Sequence, residues 1–209
     1  MERKNLVLVG GGGHAKACLD VVLSTNKYTV LGYVDLKESA NLKSVIPYLG
    51  PDAEISNYIK SASFLITVGQ ISSPAIRIGL YNQLKELNAK MPTIISAHAY
   101  VSPFAKVDEG TIIMHGAIVQ FNAIIGANCI INDRALIEHD ATVGDHCHIS
   151  TGAILNGDVV VMNNVFVGSG SVVRNGIKIS ENVVIGSGSN VLHPVATNCV
   201  VVGNPAEIQ

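Results

Sequence analysis

The chain has 209 residues, of which 48% are hydrophobic and only 14% charged, with a formal net charge of −2. That balance excludes the basic footprint of a nucleic-acid-binding or membrane-surface protein. No run approaches the roughly 18 apolar residues of a membrane span, and the length suits one large domain or two small ones.

Cys18, Cys129, Cys147 and Cys199 are widely spaced and read as thiols of a reducing compartment. Residues 1–5 lead straight into a strand without an apolar signal region, so a cytoplasmic location is expected. Leu6 to Val9 is a short apolar run of the kind that forms a buried parallel strand. Gly10-Gly11-Gly12-Gly13 follows, and Ala15 to Thr25 has helical spacing, with Ala17, Cys18, Val21 and Val22 on one side. Strand, glycine turn and helix in this order can set backbone N–H groups and a helix N-terminus against a phosphate. Gly10, Gly12 and Ala15 fit the loose G-x-G-x-x-A fingerprint, and Asp35 stands about 20 residues on, where an acid holds a ribose hydroxyl. Glycines serving only a tight turn are the alternative.

A variable stretch spans residues 37–61, followed by an expected strand from Phe64 to Val68. A helix is expected from Pro74 to Asn88, because Pro74 suits a first turn and Ile76, Leu80, Leu84 and Leu87 recur at helical spacing. A strand near Thr93 to Ile95 is expected to end this unit. Residues 1–96 have room for half of a doubly wound sheet, and hence for one nucleotide, which counts against a nicotinamide-dependent dehydrogenase.

Residues 97–209 are organised differently. From Val101 to Val191 every sixth residue is Val, Ile or Leu, and two residues earlier the side chain is usually small, as at Ala117, Ala123, Cys129, Ala135 and Cys147. Every hexad after Val107 also carries Gly, Asn or Asp. A period of six matches neither helical turns nor heptads, whereas Val and Ile suit strands. The reading is a parallel β-helix of three hexads per coil, with the sixth residues inward and residues eighteen apart stacked about 4.8 Å from each other. A sandwich of short strands would need hairpin turns and irregular spacing. After Val191 the repeat breaks at His193-Pro194, the next inward slot falls on Thr197, and residues 200–206 are expected to form an irregular cap.

Since the core of such a prism is structural, chemistry belongs to polar residues in its outer turns, where histidine is the natural base near neutral pH. His14 lies in the glycine loop, His98 at the domain junction, His115 in an early turn and His193 near the cap. Glu138-His139-Asp140 and Asp145-His146-Cys147-His148 form the dense cluster. His139 should project from a corner, and one coil later the same slot holds Gly157, which leaves space and a backbone N–H beside the imidazole. His148 precedes inward Ile149 on a different face. A zinc site built from His139, His146, Cys147 and His148 is the competing reading, but alternation turns Cys147 inward and no third ligand is evident.

The hexads resemble those of left-handed β-helix acyltransferases. Together with Leu6–Ala15, Tyr33-Val34-Asp35, Ile137–Asp140, His148 and Gly203–Ala206, they resemble the bacterial nucleotide-sugar acetyltransferases, typified by the UDP-4-amino-sugar N-acetyltransferase of bacillosamine synthesis and by sialic acid O-acetyltransferase-like proteins. The resemblance implies an α/β half-Rossmann domain before an all-β left-handed parallel β-helix, a homotrimer with acetyl-CoA between neighbouring prisms, and no metal. By the same likeness His139 is the general base on the sugar amine, Asp140 supports it, and the Gly157 N–H binds the thioester oxygen. His148 and Asn132 then lie by the acetyl group and the amine, Ser169 and Ser187 along coenzyme A, and Gly11, Gly13, His14, Asp35 and Lys37 around the nucleotide, with UDP expected. Sugar O-acetylation, a non-catalytic nucleotide-sugar-binding scaffold and a carbonic-anhydrase-like zinc enzyme are the alternatives.

Overall fold

A computed structural model describes residues 3–71 and 73–209. The front domain is a parallel sheet of β1 (Lys4–Val9), β2 (Tyr28–Val34) and β3 (Ser63–Ile66) in the order β2-β1-β3, with helices α1 (Gly13–Ser24) and α2 (Ala75–Glu86). Alternation along β1 divides its side chains between two cores. Leu6 and Leu8 pack with Ala15, Cys18, Leu19 and Val22 of α1, whereas Val7 and Val9 pack with Phe64, Ile66 and Leu84 on the α2 side.

Strand β4 (Ile94–Ile95) does not close this sheet, as the sequence suggested. It pairs in parallel with Ile112–Ile113 and is the first strand of the solenoid. The reason lies in its outward residue. Ile94, Ile112 and Ile130 point out of one face of the prism, and all three are buried because α1 and β1 lie across them. The front domain thus docks through α1 onto a ready-made apolar face. Polar contacts pin the same seam: Ser96 Oγ lies 2.6 Å from His115 Nδ1, and His115 Nε2 lies 3.2 Å from Asp20 of α1.

The solenoid is a prism of three parallel faces. The first face carries the strands at Ile94, Ile112, Ile130, His148, Phe166 and Val184; the second those at Tyr100, Ile118, Leu136, Ile154, Val172 and Asn190; the third those at Lys106, Ile124, Thr142, Val160 and Lys178. Register is eighteen residues as far as Val191, as in Ile131 opposite Ile149 and Ile137 opposite Leu155, and sixteen in the last coil. The inward aliphatics and the small residues two positions earlier form one continuous buried core. From Gly110 to Gly188 every sixth residue has positive φ, which explains the recurrent Gly, Asn and Asp: Gly116, Asn122, Asn128, Asp140 and Asp158 occupy this left-handed slot, as do Arg134 and His146.

The end of the solenoid corrects the sequence reading. Val195, not Thr197, takes the next inward place: it bridges Ile179 and is buried, whereas Thr197 is exposed. The corner after Val191 is shortened so that an apolar side chain, rather than a hydroxyl, fills the core slot. Val201 then stacks on Ile185, and a short strand over Glu207–Ile208 turns back antiparallel. No helix among the described residues is long and apolar enough to cross a membrane.

Candidate active site

His139 sits in the turn between Leu136–Ile137 on the second face and Thr142–Val143 on the third, and its side chain is 56% exposed. Its Nδ1 lies 2.8 Å from Asp140 Oδ2, and Asp140 Oδ1 also accepts from Asn122 Nδ2 at 3.1 Å. The left-handed backbone of Asp140, φ 61°, turns its carboxylate back toward the preceding imidazole. This bond holds the histidine pKa above its ordinary value and the Asp140 carboxyl below its own. With Nδ1–H donated to Asp140, Nε2 keeps its lone pair facing solvent. A methyl group on Gly157 would lie 2.8 Å from His139 Cε1 and 2.9 Å from Nε2, so the glycine leaves the imidazole its room. The Gly157 N–H has no partner among the described residues. A base with a free nitrogen therefore stands beside an unused amide donor, the pair that acyl transfer requires.

A second cluster lies at the seam between the domains. His148 points outward from the first face, yet is only 6% exposed because the segment after β3 covers it. Its Nδ1–H donates to the Gln70 carbonyl at 2.6 Å, which leaves Nε2 to accept from Asn132 Nδ2 at 3.1 Å. The Phe166 ring packs edge-on at 5.2 Å, and the His14 ring is 6.4 Å away. Burial, foremost, pushes His14 and His148 each down to about 4. The buried guanidinium of Arg77 adds to this.

Arg77, 1% exposed, donates to the carbonyls of Asn128 at 3.1 Å, Ile66 at 2.7 Å and Val68 at 3.0 Å. Its Nη2 has no partner, and no carboxylate pairs with it among the described residues. Burial lowers its pKa to about 10, so it remains a cation at neutral pH. It ties β3 and α2 to a corner of the solenoid. The apolar spacing of α2 hid this: Ile76 is exposed, while Arg77 beside it is buried.

The glycine loop opens onto a cavity of about 520 Å3 lined by Gly12, Gly13, His14, Asp35, Asp52 and Leu80, among others. Gly10, at φ 108°, passes so close to Val68 that a Cβ would come within 2.6 Å of it, whereas Gly12 and Gly13 face open space. Helix α1 begins there without a side-chain cap and with no acid in its first turn, which suits a phosphate at its N-terminus. Asp35 Oδ2 accepts from the Gly11 N–H at 2.7 Å. Gly11 itself packs against Tyr33 and Ser39 rather than lining the cavity, and Lys37 is exposed outside it.

The expected site residues thus fall into separate groups. His139, Asp140 and Gly157 meet at the corner between the second and third faces; His14, Asn132 and His148 meet at the seam on the first. In a triangular prism that corner lies opposite the first face. Ser169 and Ser187 stand exposed at the corner between the first and second faces. His146 is turned under α2, 2.9 Å from Asn128 Nδ2 and packed against Tyr81, while Cys147 faces the core. Among the described residues no three side chains of His, Cys, Asp or Glu are grouped to hold a metal ion. Gln70, Arg77, Asn128 and Asp52 were not picked out from the sequence.

The two domains match known families separately. Residues 5–84 match the PglD N-terminal domain and residues 122–157 the bacterial transferase hexapeptide repeats. The front domain is thus similar to the PglD N-terminal domain, and the solenoid to the hexapeptide repeats of bacterial transferases. The acetyltransferase domain of PglB from Neisseria gonorrhoeae FA1090 superposes with a TM-score of 0.92 at 24% identity, covering 99% of this chain and 100% of that one. The same domain in complex with acetyl coenzyme A gives a TM-score of 0.90 at 25% identity, with 100% of each chain covered. The H-to-N mutant of perosamine N-acetyltransferase from Caulobacter crescentus, in complex with CoA and GDP-perosamine, gives 0.90 at 26% identity, covering 98% of this chain and 96% of that one. No curated protein matches by sequence.

Proposed function

We propose that this protein transfers the acetyl group of acetyl-CoA to the 4-amino group of a nucleotide-linked amino-dideoxy sugar. The observation that carries the reading is the His139–Asp140 pair beside the free N–H of Gly157. The sugar amine attacks the thioester carbonyl, forming the C–N bond while the carbonyl electrons move to oxygen. His139 Nε2 takes the amine proton, and the Gly157 N–H holds the oxyanion. The tetrahedral intermediate then expels the coenzyme A sulfur, and the proton on His139 is available to the leaving thiolate. A free amine is already nucleophilic, so alignment and proton removal are the main demands. The complexes of the two relatives with acetyl coenzyme A and with CoA plus GDP-perosamine support both substrate classes.

The separation of corner and seam supports a homotrimer. His139 and His148 point away from each other within one chain, so a single substrate reaches both only if the corner of one copy abuts the seam of the next. The second face offers the surface for this: Tyr100 and Ile118 point outward and are exposed. Three equivalent contacts of this head-to-tail kind close a ring. Coenzyme A would run between prisms, past Gly157 of one and Ser169 and Ser187 of another.

Acetyl-CoA incubated with a panel of UDP-, GDP- and dTDP-linked 4-amino sugars should release free thiol with at least one. No release with any amino sugar, or release only with a sugar alcohol, would overturn the reading. Co-expressing His139→Ala with His14→Ala, each inactive alone, should restore part of the activity in mixed trimers. A site contained in one chain predicts none.

A further inference from the structure

Two carboxylates face the cavity beside the glycine loop, and they are not equivalent. Asp35 is already engaged: Oδ2 accepts from the Gly11 N–H at 2.7 Å and Oδ1 from the Leu36 N–H at 2.7 Å. Asp52 makes no side-chain hydrogen bond or ion pair among the described residues, although it lines the same cavity. Its position is built, not incidental. Residues 47–50 run along the end of β2, with bonds from Tyr33 N to Pro47 O, Leu49 N to Tyr33 O and Asp35 N to Gly50 O. The chain then turns at Gly50, in the left-handed region with φ 112°, and Asp52 enters a 3₁₀ turn over Asp52–Tyr58. This registers the Asp52 carboxylate beside Asp35. Burial, then the neighbouring Asp35 charge, raise its pKa, as expected of a carboxylate that lacks a donor.

The same cavity has apolar walls. Leu36 and Ile76, both exposed, and Leu80 line the cavity. Such walls take the flat faces of a planar ring, and a carboxylate in the same cavity can only accept. Nucleobases differ in what they offer to such a group. Guanine presents two adjacent donors, N1–H and the N2 amine, spaced for the two oxygens of one carboxylate. Uracil and thymine present a single N–H between two carbonyls, one of which would face the second carboxylate oxygen. Adenine and cytosine place a ring acceptor beside their amine.

We infer that Asp52 reads the nucleobase of the sugar nucleotide and selects guanine, so that the acceptor is a GDP-linked amino sugar rather than a UDP-linked one. The inference rests on the reading of this cavity as the nucleotide site. It departs from the UDP expected by family likeness, and it makes Asp52 a specificity-determining residue.

Equilibrium binding of GDP, IDP, UDP and xanthosine diphosphate to the whole protein and to Asp52→Asn tests it. The wild type should bind GDP about 10- to 100-fold more tightly than UDP, with IDP, which lacks the N2 amine, between them. Asp52→Asn should weaken GDP by a similar factor and tighten both xanthosine diphosphate and UDP, since each sets a carbonyl beside its ring N–H that accepts from the new amide. UDP bound as tightly as GDP overturns the guanine assignment while leaving the nucleotide site intact. Equal weakening of GDP and UDP in the variant moves Asp52 to the ribose and also overturns it. Binding of no nucleotide at all sinks the nucleotide-site reading, and this inference with it. Should the variant fail to fold, the wild-type order of GDP, IDP and UDP still decides.

Discussion

Two histidines set by the same six-residue ruler end in opposite chemical states. His139, on a bare corner, is exposed, tied to Asp140 and held more basic than an ordinary imidazole. His148, on a covered face, is buried, donates to a backbone carbonyl and is pushed down to about 4 beside a buried guanidinium. The coil repeat decides where a side chain emerges; what packs on that face decides its proton affinity. One histidine is suited to taking a proton, and the other to staying neutral and fixed.

The strongest challenge to this contrast is to remove the corner base. His139→Ala should lower kcat by about 10²- to 10⁴-fold while nucleotide affinity, measured by titration, is retained. An equal loss of binding would mean that corner and seam are not separate. Next in size, Gly157→Ala should cost about 10²-fold in kcat, because its methyl group would lie 2.8 Å from the imidazole and displace it. Unchanged turnover would remove Gly157 from the site. Asp140→Asn should cost on the order of tenfold and change the pH profile. As the proposed base, His139 would act in its neutral form, so the rate should rise with pH through its raised pKa, and losing the carboxylate should move that limb to lower pH. A limb that does not move would uncouple the pair.

The seam makes the reverse prediction about stability. His14 and His148 have folded pKa values of about 4 against an ordinary 6.5, so the unfolded chain binds more protons between these values. Their contribution is present above pH 6.5 and is lost as pH falls toward 4, which urea midpoints measured across that range should show. The smallest effect separates Val195 from Thr197. Val195→Ala should destabilise by about 2 kcal/mol and Thr197→Ala by under about 0.5 kcal/mol, read from chemical denaturation.

The solenoid was legible because its constraint is local and repeated: one inward aliphatic and one tolerant corner per hexad. The juxtaposition of His139 with Gly157 followed from counting eighteen residues. Where the count changed, at Val191 to Val195, the sequence reading slipped to Thr197, since nothing local announces a shortened corner. The seam was harder. Arg77 and Gln70 act through carbonyls of distant segments, and an arginine between apolar residues on a helix reads as surface until the partner face is known. Asp52 lay in a stretch without periodicity, and only its backbone ladder to β2 shows why it stands beside Asp35. Family likeness supplied the acetyl donor and the sugar nucleotide; spacing alone supplied neither.

A stack of parallel strands with identical spacing is also a template for endless growth, since any exposed rung invites another chain to pair with it. Here each face of the prism stops on something other than another rung of the repeat. The third face meets the displaced Val195, the second receives the Ala206 N–H on the Asn190 carbonyl, and the first is closed by a reversed strand over Glu207–Ile208. The irregular tail that looked like a loss of pattern is a set of three dissimilar stoppers, which keeps a fibril-like stack a discrete molecule.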